Sequence, residues 1–214
     1  MFKSERGIKG VEDFVVLVDI GNTNIHIWED GKIYNLKSPK KFKDDVFFIS
    51  VNDKKEKEFK KLNPKAVNLR HNVIFDTSYT GIGIDRIMAC KAVEDGVVVD
   101  AGSAVTIDIM QNGIHLGGVI MPGIAAFKEA FGRISEKLNV SLCEIDFRKL
   151  PQNTQEAVSF GSIGAIVLMI EKLKKDKKVY FTGGDGKFLS KLIDGIYIRD
   201  LVFRGMIKTI KENL

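Results

Sequence analysis

The sequence predicts an α/β protein made of two hairpin-led halves that repeat one β-β-β-α-β-α plan. Three observations predict it. Asp19-Ile20-Gly21-Asn22-Thr23-Asn24 and Asp100-Ala101-Gly102-Ser103-Ala104-Val105-Thr106 each follow a β-branched apolar run, Phe14 to Val18 and Val97 to Val99, and pass from Asp through Gly into hydroxyl or amide side chains. Each is then followed by a hairpin turn signal, Asp30-Gly31 or Asn112-Gly113. Beyond the hairpins, short strand-like runs alternate with helix-like segments.

The elements read in order as follows. Residues 1–13 are polar and Gly-punctuated, a loose lead-in. Val15 to Ile20 is a strand, Ile25 to Trp28 alternates as a second, and Lys32 to Leu36 is its partner. Phe47 to Val51 is a buried strand, the mixed-charge run 53–62 a helix, and Ala66 to Leu69 and Val73 to Phe75 short strands. Apolar spacing predicts a helix over Ile84 to Val93, with Asp85 and Arg86 in its first turn. In the second half, strands are expected at Val97 to Asp100, Val105 to Met110, Ile114 to Ile120, Val179 to Phe181 and Ile196 to Ile198. Helices are expected from Ile124, over 155–173, at Phe188 to Ile193 and at Leu201 to Leu214. The domains are therefore drawn at 14–96 and 97–200, with a closing helix at 201–214.

Composition narrows the class. The chain is 44% hydrophobic and 29% charged, enough apolar residue for a core. No stretch reads as a membrane span or a signal-peptide core, so a cytoplasmic protein with no membrane contact is expected. The net charge of +5 does not point to nucleic acid, because the Lys-rich runs at 54–61 and 172–178 carry acids and lack interleaved aromatics. They read as a solvated helix face and a helix end. Cys90 and Cys143 read as buried thiols. His26, His71 and His115 share no metal-like spacing and read as surface or loop residues, so any metal should be a hard cation on oxygen ligands.

A strand that ends in Asp and turns through Gly into short polar side chains suits phosphate oxygens and a cation that neutralises them. Two such turns suggest a phosphate clamped between two similar lobes. Asp108 can be a third site carboxylate or a structural hydrogen-bonding group. Gly83-Ile84-Asp85-Arg86 reads equally well as a helix-dipole pair or as a general base with a substrate-gripping Arg. Gly117-Gly118 through Pro122-Gly123 permits close packing or close approach to a ligand. Thr182-Gly183-Gly184 could let a flat adenine lie against backbone, or be a simple turn. Asn153-Thr154 is first a helix start and second a substrate contact. Trp28, Phe47 and Phe48 read as core.

Taken together, the motifs resemble the type III pantothenate kinases of the acetate-and-sugar-kinase, Hsc70 and actin superfamily. The match runs from about residue 14 to the C-terminus, carried by Asp19 to Thr23, Gly83 to Arg86, Asp100 to Asp108, Gly117-Gly118 through Pro122-Gly123, Asn153-Thr154 with Ala157 and Gly161, and Thr182-Gly183-Gly184. The resemblance implies a duplicated ribonuclease-H-like (actin-like ATPase) fold, with two lobes of mixed five-stranded sheets and flanking helices. It implies ATP-dependent phosphorylation of pantothenate, Mg²⁺, a monovalent cation (K⁺ or NH₄⁺), and a homodimer with pantothenate near the subunit interface. By motif match Asp85 is the proton acceptor, and Gly83, Ile84, Asp85 and Arg86 grip pantothenate with Thr154. Asp19, Ile20, Gly21, Asn22, Thr23 and Asn24, with Ser103, Gly183 and Gly184, face ATP. Asp100 holds the monovalent cation, and Asp19 holds Mg²⁺ through water.

The sequence departs from the family pattern in three places. Ser103 replaces the usual Thr, and the hydroxyl survives. The segment before Gly83 is short, and Asp76 stands where an aromatic is usual, so Tyr79 is taken as the aromatic substrate contact. The N-terminal lead is longer than usual. Alternatives are a different small-molecule kinase on the same fold, a non-enzymatic regulator, and a filament-forming protein.

Overall fold

The computed structural model describes residues 15–213, so the lead-in at 1–13, Phe14 and Leu214 lie outside the described residues. The chain forms two compact units. One contains described residues 15–74, 82–88 and 202–213; the other contains Phe75–Gly81 and Ala89–Leu201.

The first unit is built on β1 (Val15–Ile20), β2 (Ile25–Glu29), β3 (Lys32–Leu36), β4 (Asp45–Ser50) and β5 (Val67–Asn68), in the order β3-β2-β1-β4-β5. β1 runs antiparallel to β2 and parallel to β4. The hairpin turn holds Asp30 and Gly31 at φ of 51° and 72°, the twist-matched conformation that Asp-Gly favours. The pleat sends Val16, Val18 and Ile20, with Phe48 of β4, to one face, against Phe59 of α1 (Asp53–Leu62). Leu17 faces the other way, against Ile84 and Met88 of α2 (Ile84–Lys91) and Phe203, Met206 and Ile210 of α6 (Leu201–Glu212). Asn52 caps α1 by accepting from the Lys55 amide at 3.0 Å.

The second unit repeats this topology. Its strands are β6 (Gly96–Ala101), β7 (Ala104–Gln111), β8 (Ile114–Pro122), β9 (Val179–Thr182) and β10 (Ile196–Tyr197), in the order β10-β9-β6-β7-β8. β6 is antiparallel to β7 and parallel to β9, as β1 is to β2 and β4. Asn112 and Gly113 repeat the left-handed pair of the first hairpin, at φ of 50° and 77°. Val97, Val99, Ala101, Val105 and Ile107 form one face, buried against Ile163, Ile166 and Ile170 of α4 (Thr154–Lys174) and Leu189 of α5 (Gly186–Leu192). α3 (Ile124–Ile134) follows β8. The shared strand order and direction make the fold a duplicated ribonuclease-H-like one.

Three expectations are corrected. Val73 to Phe75 is not a strand; it runs as irregular chain after β5. The strand expected at Ala66 to Leu69 contracts to Val67–Asn68, because Leu69 begins a short 3₁₀ turn capped by the Asn68 side chain. The two halves also differ in their crossovers: β8 reaches β9 through α3 and α4, whereas β3 reaches β4 through residues 37–44 with no helix.

Candidate active site

In the first unit, Asp19 ends β1 at 9% exposure. Strand alternation puts its side chain with Leu17, on the face that α2 and α6 cover. The Gly21 amide donates to the Asn24 carbonyl at 3.0 Å, which closes the turn and leaves Asn22 and Thr23 exposed at its tip. Two cations attend this turn, and one of them, Lys55, lies in the run that the sequence reading took for a solvated helix face. Lys55 Nζ donates to the carbonyls of Gly21 (3.2 Å) and Asn22 (2.7 Å), and Lys37 Nζ donates to Asn24 Oδ1 at 2.8 Å. No sequence spacing flags Lys37 or Lys55, since only the fold brings β3 and α1 to this turn.

Also in the first unit, α2 begins at Gly83-Ile84-Asp85-Arg86. The Ile87 amide donates to the Gly83 carbonyl at 3.0 Å, and Asp85 Oδ1 accepts from the Arg86 amide at 2.8 Å. Asp85 is thus half-buried at a helix N-terminus, where peptide donors favour an anion. Ile84 is core, and Arg86 is 6% exposed.

In the second unit, Asp100 is half-buried and stands in register with Thr106 and Thr182. The turn after it is held on both sides. The Gly102 amide donates to the Ala104 carbonyl (2.9 Å), the Gly123 amide to the Ser103 carbonyl (3.1 Å), and the Asp185 amide to the Ala101 carbonyl (2.9 Å). Gly183 therefore sits against the Asp100 turn and Gly123 packs closely on the same turn, whereas a Cβ on Gly184 or Gly117 would meet nothing within 4 Å. Ser103 is exposed. Asp185, which the sequence reading did not select, follows the two glycines, and burial raises its carboxyl above the usual range. Thr154 is exposed in the first turn of α4, where Asn153 Oδ1 accepts from the Glu156 amide at 2.9 Å, so the helix-start reading holds. A cavity of about 310 Å³ beside this helix start is lined by Asp146, Lys149, Gln152, Glu156 and Phe160, among others, and not by Thr154.

Tyr79 is half-buried in the Phe75–Gly81 segment, its ring centroid 6.0 Å from that of His115. His115 is not the surface residue expected: it is 1% exposed, and its Nε2 lies 2.9 Å from Asp108 Oδ1. With buried Cys90, these two bring ligand-type atoms within 4.8 Å of one another, a cluster made by folding rather than by spacing. The His115–Asp108 hydrogen bond accounts for two of the three, and the hydrogen-bonding reading of Asp108 holds. Cys90 is buried as expected, whereas Cys143 is only half-buried.

Two strand-end Asp turns, on halves of one strand order, mark a protein of the actin-like ATPase and sugar-kinase fold. A 2-dehydro-3-deoxygalactonokinase, provisionally so described, from Sinorhizobium meliloti shares that fold at a TM-score of 0.54 and 8% identity, over 94% of this chain and 99% of the other. The sequence profile of the type III pantothenate kinases matches residues 32–176. A type III pantothenate kinase of Wolinella succinogenes is 45% identical over 92% of this chain and 97% of its own length. One of Campylobacter jejuni strain RM1221 is 47% identical over 93% and 98%. A Campylobacter jejuni structure, provisionally described as a conserved Baf family transcriptional activator, superposes at a TM-score of 0.81 with 45% identity, over 92% and 98% of the two chains. The chain belongs to the type III pantothenate kinase family. That membership makes it an ATP-dependent phosphotransferase acting on pantothenate, at the first step of coenzyme A biosynthesis.

Proposed function

We propose that Asp85 is the general base of this reaction. The observation that carries the reading is its carboxylate at the N-terminus of α2, beside buried Arg86. Asp85 accepts the proton of the primary hydroxyl of pantothenate as that oxygen attacks the γ-phosphorus of ATP; the bond to the β,γ-bridging oxygen breaks and ADP leaves. Gly83, Ile84, Arg86, Tyr79 and Thr154 position pantothenate. Asn22, Thr23 and Ser103 donate to phosphate oxygens, with Ile20, Gly21, Asn24, Gly183 and Gly184 as backbone contacts. Lys37 and Lys55 add positive charge at the Asp19 turn. Most of the acceleration comes from positioning and charge neutralisation.

The donor sets fit hard cations. Asp19 supplies a carboxylate beside amide and hydroxyl oxygens, as Mg²⁺ prefers, and Asp100 supplies one beside the Ala101 and Gly102 carbonyls, as K⁺ or NH₄⁺ would need. Bound there, the cations would neutralise phosphate charge. A homodimer belongs to the same reading, and Leu116, Ile120, Ile134 and Leu168 in the second unit are exposed apolar side chains that such a contact could cover. Among the described residues no helix is long and apolar enough to cross a membrane, which is in keeping with a cytoplasmic enzyme without membrane contact. The acid-interrupted Lys runs support the absence of nucleic acid. The likeness to a protein described as a transcriptional activator keeps the regulator reading as the alternative.

The test is ADP release with MgATP and pantothenate, with and without potassium, on wild type and Asp85→Asn. Pantothenate-dependent release that fails in the variant supports the assignment. No pantothenate-dependent release from folded wild type would overturn it, and a gel-shift assay would then test the regulator.

A further inference from the structure

β8 contains one buried residue among exposed and half-buried ones, and that residue is a histidine. His115 lies between Ile114 and Leu116, which are 43% and 54% exposed. A register irregularity puts it there. Ile107, Ile109, Val119 and Met121 share the face that packs on α4, and Ile109 stands opposite Gly117. Simple alternation would send His115 to that face with Gly117 and Val119. Instead Met110 pairs with His115 and Leu116 is passed over, so the bulge turns the imidazole to the opposite face, where Asp108 points. Val98 pairs with Asp108 and Asp100 with Thr106, so Asp100 and Asp108 share that face.

The dyad grips one segment. His115 Nδ1 is 2.7 Å from Thr77 Oγ1, and the same oxygen accepts from the Tyr79 amide at 3.0 Å. The His115 amide donates to the Asp76 carbonyl at 3.0 Å, and Thr77 forms a parallel bridge with His115. The rings of Phe75 and Tyr79 flank the imidazole at 5.5 and 6.0 Å. In the neutral tautomer that donates Nε2–H to the Asp108 carboxylate, Nδ1 accepts the Thr77 hydroxyl proton, and in every case that hydroxyl oxygen accepts from the Tyr79 amide. A hydrogen-bonded chain of polar groups held in a low-dielectric setting favours one arrangement of the segments it joins.

We propose that Asp108, His115 and Thr77 are positioning residues that fix the Phe75–Gly81 segment, and with it Tyr79, for binding pantothenate. The dyad's function is to hold a short irregular segment, which has no strand of its own, in the form that receives substrate. The role in binding rests on the pantothenate kinase reading; the anchoring does not.

Thr77→Val keeps the shape and removes the hydroxyl, Thr77→Ser restores it, and His115→Ala removes the dyad. Thr77→Val should raise KM for pantothenate roughly tenfold, the effect of one lost buried hydrogen bond, with KM for ATP within about twofold. Thr77→Ser should return KM most of the way. An unchanged pantothenate KM in folded Thr77→Val and His115→Ala, or equal losses for both substrates together with a fall in Tm, overturns the positioning role. Hydrogen exchange over 75–81 tests the anchor without substrate. Faster exchange there, with β6 and β9 unchanged, supports it, and unchanged exchange overturns it. If wild type lacks pantothenate-dependent turnover, the binding role falls with the kinase reading, while the exchange result still decides the anchor.

Discussion

Asp100 and Gly183 are packed so closely that a Cβ on Gly183 would lie 2.5 Å from Asp100 Oδ1 and 2.4 Å from the Ala101 carbonyl oxygen. Gly183 also holds a φ of 82°, which side-chain-bearing residues rarely adopt. The end of β9 and the turn after β6 therefore fit only while position 183 lacks a side chain. Gly183→Ala should cost about 1–3 kcal/mol from the strained backbone alone, with more from the clash, and should raise KM for ATP. Urea unfolding and steady-state kinetics check both, and a variant of wild-type stability would contradict the packing described.

Asp85→Asn should lower kcat by about 10²–10⁴, the usual loss of a general base, with the circular dichroism spectrum unchanged. A loss below about threefold would sink the role.

Asp100→Asn removes the charged ligand proposed for the monovalent cation. The potassium concentration for half-maximal activity should rise at least about tenfold, the low end of what even an outer-sphere partner contributes to cation binding. A potassium titration of both proteins decides it, and coincident curves would assign the cation elsewhere.

Burial holds the Asp185 carboxyl above its usual range. The folded state then prefers the neutral acid, so this group's stabilising contribution is full below its unfolded pKa of about 3.9 and is lost as pH rises through the folded value. Near neutrality the fold carries a partly desolvated carboxylate. Asp185→Asn should raise Tm near pH 7, and the gain should vanish below the unfolded pKa. Scanning calorimetry across that range checks the sign, and a gain that grows as pH falls would contradict it.

Gly205 in α6 lies against the backbone of α2: a Cβ there would be 1.8 Å from the Met88 carbonyl oxygen. Gly205→Ala should cost toward the upper end of the about 1–3 kcal/mol typical of overpacking. Tm should fall by on the order of 10 °C. An unchanged Tm would show that the helices can separate without cost.

Much of this protein is legible in its residues. Asp-Gly and Asn-Gly fixed both hairpins, because each can take the left-handed pair that a two-residue turn requires. The strand-end Asp19 and Asp100, the helix start at Asn153-Thr154 and the motif before α2 were likewise readable, since a turn or cap depends on residues adjacent in the chain. Other features were decided by folding. Val73 to Phe75 has strand-like residues but no strand, because β-structure needs a partner that local sequence does not name. Lys55 looked like solvated charge until α1 brought it to the Asp19 turn. His115 looked like a surface residue because it shares no metal-like spacing with the other histidines, and only the skipped Leu116 turns it onto Asp108. Local conformation is set by nearest neighbours along the chain, whereas burial, partners and register are set by surfaces that meet only after the sheet has paired.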